Sequence, residues 1–119
     1  MAPDQKKRLK EFHDTIMEED GNVQPEIGVL MGKEALIYKQ NGEFKYALAG
    51  LKNYFTLHVM PMYANPEIRD TYRTALRNVK FQKGCVNFKD FKDFPREILR
   101  ELIKDSRDLE LPPPGVKKT

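Results

Sequence analysis

Apolar residues near the start of the chain recur at the spacing of a helix. Leu9, Phe12 and Ile16 fall on one side with charged residues opposite, and this pattern predicts an amphipathic surface helix from Asp4 to about Asp20. The following stretch, residues 23–32, contains one proline and two glycines, which disfavour regular structure. We therefore expect a connector there, with at most a short helix.

Three runs of strand-like residues follow, and the turns between them set their register. Asn41–Gly42 is a strong signal for a two-residue hairpin turn, because both central residues of that turn need positive φ. This turn places Tyr38 opposite Lys45. A four-residue connection at 50–53 then places Lys45 opposite His58 in the third strand. Together the two turns predict a three-stranded antiparallel meander.

These two registers assign the side chains to opposite faces of the predicted sheet. The first face is apolar and is predicted to be buried by helices: Ile37, Phe44, Tyr46, Leu48, Phe55, Leu57 and Val59. The second face mixes polar, small and aromatic side chains: Leu36, Tyr38, Lys45, Ala47, Ala49, Tyr54, Thr56 and His58. Because burying a lysine without an anionic partner is costly, we expect this second face to meet water, a ligand or a polar interface.

The C-terminal half of the chain predicts two more helices with two short strands between them. Asn65–Pro66 opens a helix that runs to about Asn78, because proline suits the first helical position. Short strands are predicted near residues 79–82 and 85–89. A final helix begins near Asp93, and its apolar stripe is Ile98, Leu99, Leu102 and Ile103.

The resulting order of elements is α-β-β-β-α-β-β-α. Strands clustered between helices favour a two-layer α+β domain with an antiparallel sheet over a parallel α/β fold. A chain of 119 residues suits one hydrophobic core. We therefore expect a single domain over residues 1–111, followed by an extended proline-rich tail at residues 112–119.

Three sequence segments carry a resemblance to a known family. They are MGKEALIY at Met31–Tyr38, KYALAGLKNYFTLHVMPMY at Lys45–Tyr63 and KFQKGCVNFK at Lys80–Lys89. Together with the final helix, they resemble the YdhG-like domains of unknown function, which are small bacterial proteins. The resemblance covers roughly residues 31–106. It implies an order of elements close to the one predicted above, and it implies no particular reaction.

A branch of the YdhG-like family is described as an intracellular iron chaperone and is placed beside frataxin-like proteins, so the resemblance implies iron as a candidate cargo. Glu11, Asp14 and Glu18 project within one narrow sector of the first predicted helix, where a hard cation could bridge two of them. Lys7 and Lys10 intersperse this row. A solvated helix face explains the same carboxylates, and we expect no resident cofactor.

Charge and cysteine content narrow the class of protein. The net charge of +3, from 21 basic and 18 acidic residues, is too small to indicate nucleic-acid binding. One cysteine excludes an internal disulfide and fits a reducing compartment, and with two histidines it leaves no structural zinc set. No signal peptide or long apolar run is visible, so we expect a cytoplasmic protein that does not enter a membrane.

Two further groups of residues carry candidate chemistry. Arg69, Arg73 and Arg77 recur every four residues along the second predicted helix, and this basic line could contact a polyanion or could be a solvated flank. Cys85 has a lysine two residues away, which would lower the thiol pKa. A thiol enzyme would also need His58 on a neighbouring strand. The alternative for the cysteine is a small buried hydrophobe.

The second face of the predicted sheet is the leading candidate for a binding surface. Tyr38, Lys45 and His58 form one row, and Tyr54 and Thr56 lie beside them, which makes a shallow platform for a small planar ligand, a peptide or another subunit. We therefore expect a non-catalytic binding or accessory module, with a homodimer as one open arrangement. A frataxin-like iron chaperone and a thiol-dependent enzyme remain the alternatives.

Overall fold

The structure, a computed structural model, describes residues 3–30, 32–76 and 78–109. It contains four α-helices, six β-strands and one 3-10 turn in these regions. Their bounds are α1 Pro3–Glu19, β1 Gln24–Leu30, β2 Lys33–Gln40, β3 Glu43–Gly50, β4 Phe55–Val59, α2 Pro61–Ala64, α3 Pro66–Ala75, β5 Lys80–Phe81, β6 Cys85–Phe88, the 3-10 turn Phe91–Asp93, and α4 Arg96–Arg107. The predicted tail at residues 112–119 lies outside the described residues.

The six strands form one antiparallel sheet in the order β1-β2-β3-β4-β6-β5. Buried residues of all four helices share a single apolar cluster with one face of this sheet, which we call the helix face. We call the opposite face the far face. The fold is therefore a two-layer α+β domain with an antiparallel sheet, as the sequence predicts.

Aromatic side chains hold the helix layer onto the sheet. Phe12 of α1 contacts Phe88 of β6, with ring centroids 5.5 Å apart, and Phe91 of the 3-10 turn at 4.8 Å. Phe94 lies 5.4 Å from Phe88. Phe55 lies 4.4 Å from Phe91 but is only half-buried. Such ring pairs contribute about 0.5–1.5 kcal/mol each beyond their buried area.

The sequence analysis was wrong about residues 23–32, where it expected a connector and the structure has the strand β1. Gln24–Leu30 pairs along its whole length with β2. Its proline is tolerated because β1 is an edge strand, where a missing N–H can face away from the ladder. Its glycine leaves room for Ile37 to pack, because a Cβ at Gly28 would lie 2.6 Å from Cδ1 of that side chain.

The hairpin of β2 and β3 turns at Asn41–Gly42 as predicted, with φ of 53° and 80°. Gln40 pairs with Glu43 and Lys39 with Phe44, but Tyr38 then pairs with Tyr46. Lys45 is therefore an extra residue in a β-bulge, which the sequence analysis missed. Beyond the bulge every side chain of β2 changes face relative to the prediction.

The bulge exchanges several predicted positions between the two faces. Leu36 and Tyr38 join the helix-face cluster, where the sequence analysis had placed them on the second face. Ile37 and Phe44 make the opposite exchange and pack on the far face. The predicted register of β3 against β4 was off by two residues, since Leu48 pairs with Leu57. A shift of two preserves the faces, so the assignment of β4 was correct.

The sequence analysis did not predict α2, but the other three helices lie close to their predicted positions. α3 starts at Pro66 as predicted but ends at Ala75, and the side chain of Asn65 bonds the carbonyl oxygen of Pro61 instead of capping α3. α4 buries Leu99, Leu102 and Ile103 as predicted. In the three described stretches, no helix combines the length and the apolar character needed to cross a membrane.

Candidate functional site

The predicted platform of five residues is divided between the two faces of the sheet. Tyr38 and Lys45 lie on the helix face and are buried, so the expected row with His58 is wrong. The physical cause is the bulge at Lys45, which turns this side chain towards the helices. Thr56 and His58 lie on the far face, opposite Ala49 and Ala47.

Lys45 is buried together with its anionic partner in the helix layer. Its Nζ lies 2.7 Å from Oδ2 of Asp20 and donates to Oε1 of Gln40 and to the carbonyl oxygen of Arg107, each at 2.6 Å. The three N–H groups of the ammonium thus have three acceptors. The hydroxyl of Tyr46 donates to the same Asp20 oxygen at 2.8 Å. We call these five residues the Lys45 network.

The Lys45 network joins four elements, and β2 contributes its last residue, Gln40. Asp20 follows the last turn of α1, Arg107 is the last residue of α4, and Lys45 is the bulged residue of β3. Burial, followed by the negative charge of Asp20, raises the pKa of Tyr46 far above its ordinary value, so the hydroxyl stays protonated and donates. The network is therefore a structural tie inside the core.

The far face is closed around its centre. Ala47 and Ala49 are buried there with Leu30 and Ala35, and Phe44 packs against them. The ring of Phe44 lies 6.4 Å from that of His58. Thr56 and His58 are also buried. The predicted platform at this position is thus closed and does not form a shallow open surface.

Cys85 lies directly opposite His58 in the pairing of β4 with β6, so the strands are neighbours as a thiol enzyme would require. The thiol is buried and donates to Oε1 of Gln82 at 3.1 Å. Burial raises its pKa, an effect that outweighs the lowering by a hydrogen bond with Thr56. Since an activated thiolate needs a lowered pKa, the environment of Cys85 is that of an inert structural cysteine.

The carboxylates of α1 are engaged by basic side chains. Asp14 pairs with Lys10 at 3.1 Å, and Glu18 pairs with Arg96 at 3.5 Å and Arg100 at 3.3 Å. The described residues contain no group of three or more histidine, cysteine, aspartate or glutamate side chains placed to hold a metal ion. The pairs with arginine tie α1 to α4, so this face of α1 gives the iron alternative no support. The carbonyl oxygen of Glu11 accepts a hydrogen bond from the hydroxyl of Thr15 at 2.9 Å.

The predicted basic line on α3 is only partly described. Arg69 is partly buried, 3.9 Å from the carboxylate of Asp70, whereas Arg73 is exposed. Arg77 lies outside the described residues. Contact of these arginines with a polyanion stays a prediction.

A cleft of about 730 Å³ opens at the β5–β6 end of the sheet. We call it the β5–β6 cleft. Its lining comes from the β3–β4 loop, the connection after α3, the hairpin of β5 and β6, and the 3-10 turn. These residues are Asn53, Tyr54, Asn78, Val79, Lys80, Gln82, Asn87, Phe88, Lys89 and Asp93. Of the five predicted platform residues, Tyr54 lines this cleft.

Seven of the ten residues that line the β5–β6 cleft carry amide or charged side chains. Three asparagines and one glutamine each offer an amide N–H donor and a carbonyl acceptor. Lys80 pairs with Asn87 across β5 and β6, and Asn87 pairs with Thr56 of β4. Lys80 and Asn87 therefore share the far face with Thr56. The sequence analysis missed the cleft, since its residues come from four separate segments that only the fold brings together.

The fold and this cleft define a small two-layer α+β domain with a ligand-sized, amide-lined cleft at an edge of its sheet. Comparison of the chain with family models, curated proteins and solved structures finds no match.

Proposed function

We propose that the protein is a non-catalytic binding module that takes a small, negatively charged, polar ligand into the β5–β6 cleft. The observation that carries this proposal is the cleft itself. Its volume of about 730 Å³ falls within the range of ligand pockets, roughly 300–1,000 Å³. A concave site of this size favours a small molecule over a flat protein surface.

The charge around the cleft supports an anionic ligand. Lys80 and Lys89 contribute two positive charges to the lining, against one negative charge from Asp93. Over residues 78–93 the sequence holds four lysines and two aspartates. A lysine ammonium is a compact point charge that suits a phosphate or carboxylate group.

The amide side chains supply the means of selecting among anions. Asn53, Asn78, Gln82 and Asn87 can each donate and accept hydrogen bonds, which suits a ligand with amide, hydroxyl or heterocyclic groups. Tyr54 adds an aromatic ring against which a planar group could stack. A small phosphorylated or carboxylated ligand with a polar body fits this chemistry.

The non-catalytic part of the proposal follows from the residue types in the cleft. Its described lining holds no serine, threonine or cysteine nucleophile and no histidine base, and the groups there that could exchange a proton are Tyr54, Lys80, Lys89 and Asp93. Cys85 and His58 are buried nearby in the sheet rather than in the lining. Binding without chemical conversion is what these groups support.

The test is a titration monitored by two-dimensional NMR of the ¹⁵N-labelled protein. The probes are inorganic phosphate, a nucleoside monophosphate, a sugar phosphate, a dicarboxylate and an uncharged sugar. We expect saturable shifts confined to the cleft with at least one anionic probe. Lys80→Gln should weaken that binding about tenfold, whereas Lys104→Gln, an exposed change on α4, should leave it unchanged. Absence of saturable shifts with every probe, or equal binding by Lys80→Gln, would overturn the proposal.

A further inference from the structure

The opposite edge of the sheet carries an exposed apolar pair. Within the part of the chain that the structure describes, the large apolar side chains that remain exposed are Ile27, at 63%, and Val29, at 72%. Both belong to β1 and are two residues apart, so they point to the same face. Ile27 lies opposite Leu36, which places the pair on the helix face but beyond the cover of the helices.

The outer edge of β1 has no strand paired with it in the described parts of the chain. There β1 is the terminal strand of the sheet and pairs only with β2. Leu30 and Lys33 flank a two-residue loop and therefore form a hydrogen-bonded pair, so Gly28 and Glu26 also bond towards β2. The N–H and C=O groups of Ile27 and Val29 consequently point outwards. Exposed apolar side chains and unpaired backbone groups coincide at one edge, which natural sheets usually avoid.

We propose that β1 pairs antiparallel with β1 of a second copy of this chain, about a two-fold axis at Gly28. In that register Ile27 lies opposite Val29 of the second copy, and the reverse pair completes the symmetry. Each pair can exchange backbone hydrogen bonds, because both residues present outward N–H and C=O groups. The two pairs would also bury one another's side chains in a common apolar cluster.

The sequence of β1 is complementary to itself in this register. Gly28 meets Gly28 of the second copy, so no side chain obstructs the axis. Glu26 lies opposite Leu30 of the second copy, so no like charges face each other. Glu26 is already paired with Lys39 at 3.2 Å, which leaves the joining edge without an unpaired charge. Pro25, which lacks an N–H, falls outside the paired stretch.

A second copy explains these features better than an unrelated peptide strand would. In an isologous interface the same surface patch of both copies makes the contact, so the patch must be complementary to itself. Ile27 and Val29 meet that requirement because they lie evenly on either side of Gly28. The joined sheet would have twelve strands, and the helix layers of the two copies would lie on the same face of it. This inference is independent of the ligand proposed for the β5–β6 cleft, which lies at the other end of the sheet.

The test is sedimentation equilibrium from low to high micromolar protein, with Ile27→Lys and Val29→Lys as variants and Ala75→Lys as a matched control. All three positions are exposed, so we expect the variants to fold, as circular dichroism would verify. The wild type and the control should form a dimer, and each β1 variant should raise its Kd at least about tenfold.

Amide hydrogen exchange of the wild type supplies a second readout that depends on the register. The amides of Ile27 and Val29 should exchange more slowly as the protein concentration rises, whereas the amide of Ala75 should not respond. A wild type that stays monomeric throughout, or a dimer equally stable in both β1 variants, would overturn the proposal. Protection that does not depend on concentration would overturn it as well.

Discussion

Replacing Lys45 with methionine tests the buried ion pair in the core most directly. Lys45 is 1% exposed and Asp20 is 0% exposed, so neither charge has bulk water as an alternative partner. Removing the ammonium leaves the Asp20 carboxylate buried, with the Tyr46 hydroxyl and a backbone N–H as its remaining donors. Breaking a buried pair on one side costs about 3–5 kcal/mol.

That loss is large for a domain of this size. Stabilities of such domains lie at about 5–15 kcal/mol, so Lys45→Met should remove a third or more of a typical value. We expect Tm to fall by roughly 10–20 °C, since each kcal/mol corresponds to about 4 °C in a chain of this length. Urea unfolding at neutral pH, followed by circular dichroism, measures the free energy of unfolding and shows whether the m-value is unchanged.

A double-mutant cycle separates the pair from general damage to the core. Asp20→Asn should also destabilise, because it leaves the buried ammonium without its counter-ion. The double variant, Asp20→Asn with Lys45→Met, should be less destabilised than the sum of the single changes by about 1–3 kcal/mol. The matched control is the exposed pair of Lys39 and Glu26, where Lys39→Met should cost about 1 kcal/mol or less. A Lys45→Met protein as stable as the control variant would refute the buried network.

Two further outcomes follow from the core. Phe88→Ala should lower the free energy of unfolding by about 3–5 kcal/mol, because Phe88 is buried. Phe55→Ala should lower it less, because Phe55 is only half-buried beside Phe91. Equal losses in urea unfolding would contradict the packing at Phe91. For Cys85, burial raises the pKa in the folded state, so its contribution to stability is complete below about pH 8.5 and is lost as the pH rises through the folded pKa. Cys85→Ala should therefore flatten the fall in stability as the pH rises above about 8.5, and an unchanged slope would argue against a buried thiol.

The sequence alone determined the elements whose patterns are local. Phe12 and Ile16 at helical spacing fixed the buried side of α1, and Leu99, Leu102 and Ile103 did the same for α4. In β4, alternation placed Leu57 and Val59 on the helix face, and a two-residue error in register left that assignment intact. The two-layer α+β class followed because it depends on the order of such elements.

Tertiary structure alone decided three features. Pro25 and Gly28 suggest a loop when read locally, and they lie in a strand only because β1 occupies an edge and Ile37 packs over Gly28. The bulge at Lys45 has no local signal, because what stabilises it is a carboxylate 25 residues earlier in the chain, at Asp20. The β5–β6 cleft likewise requires segments that are far apart in sequence and adjacent in space. In each case the deciding contact reaches beyond the few neighbouring residues whose preferences periodicity reports.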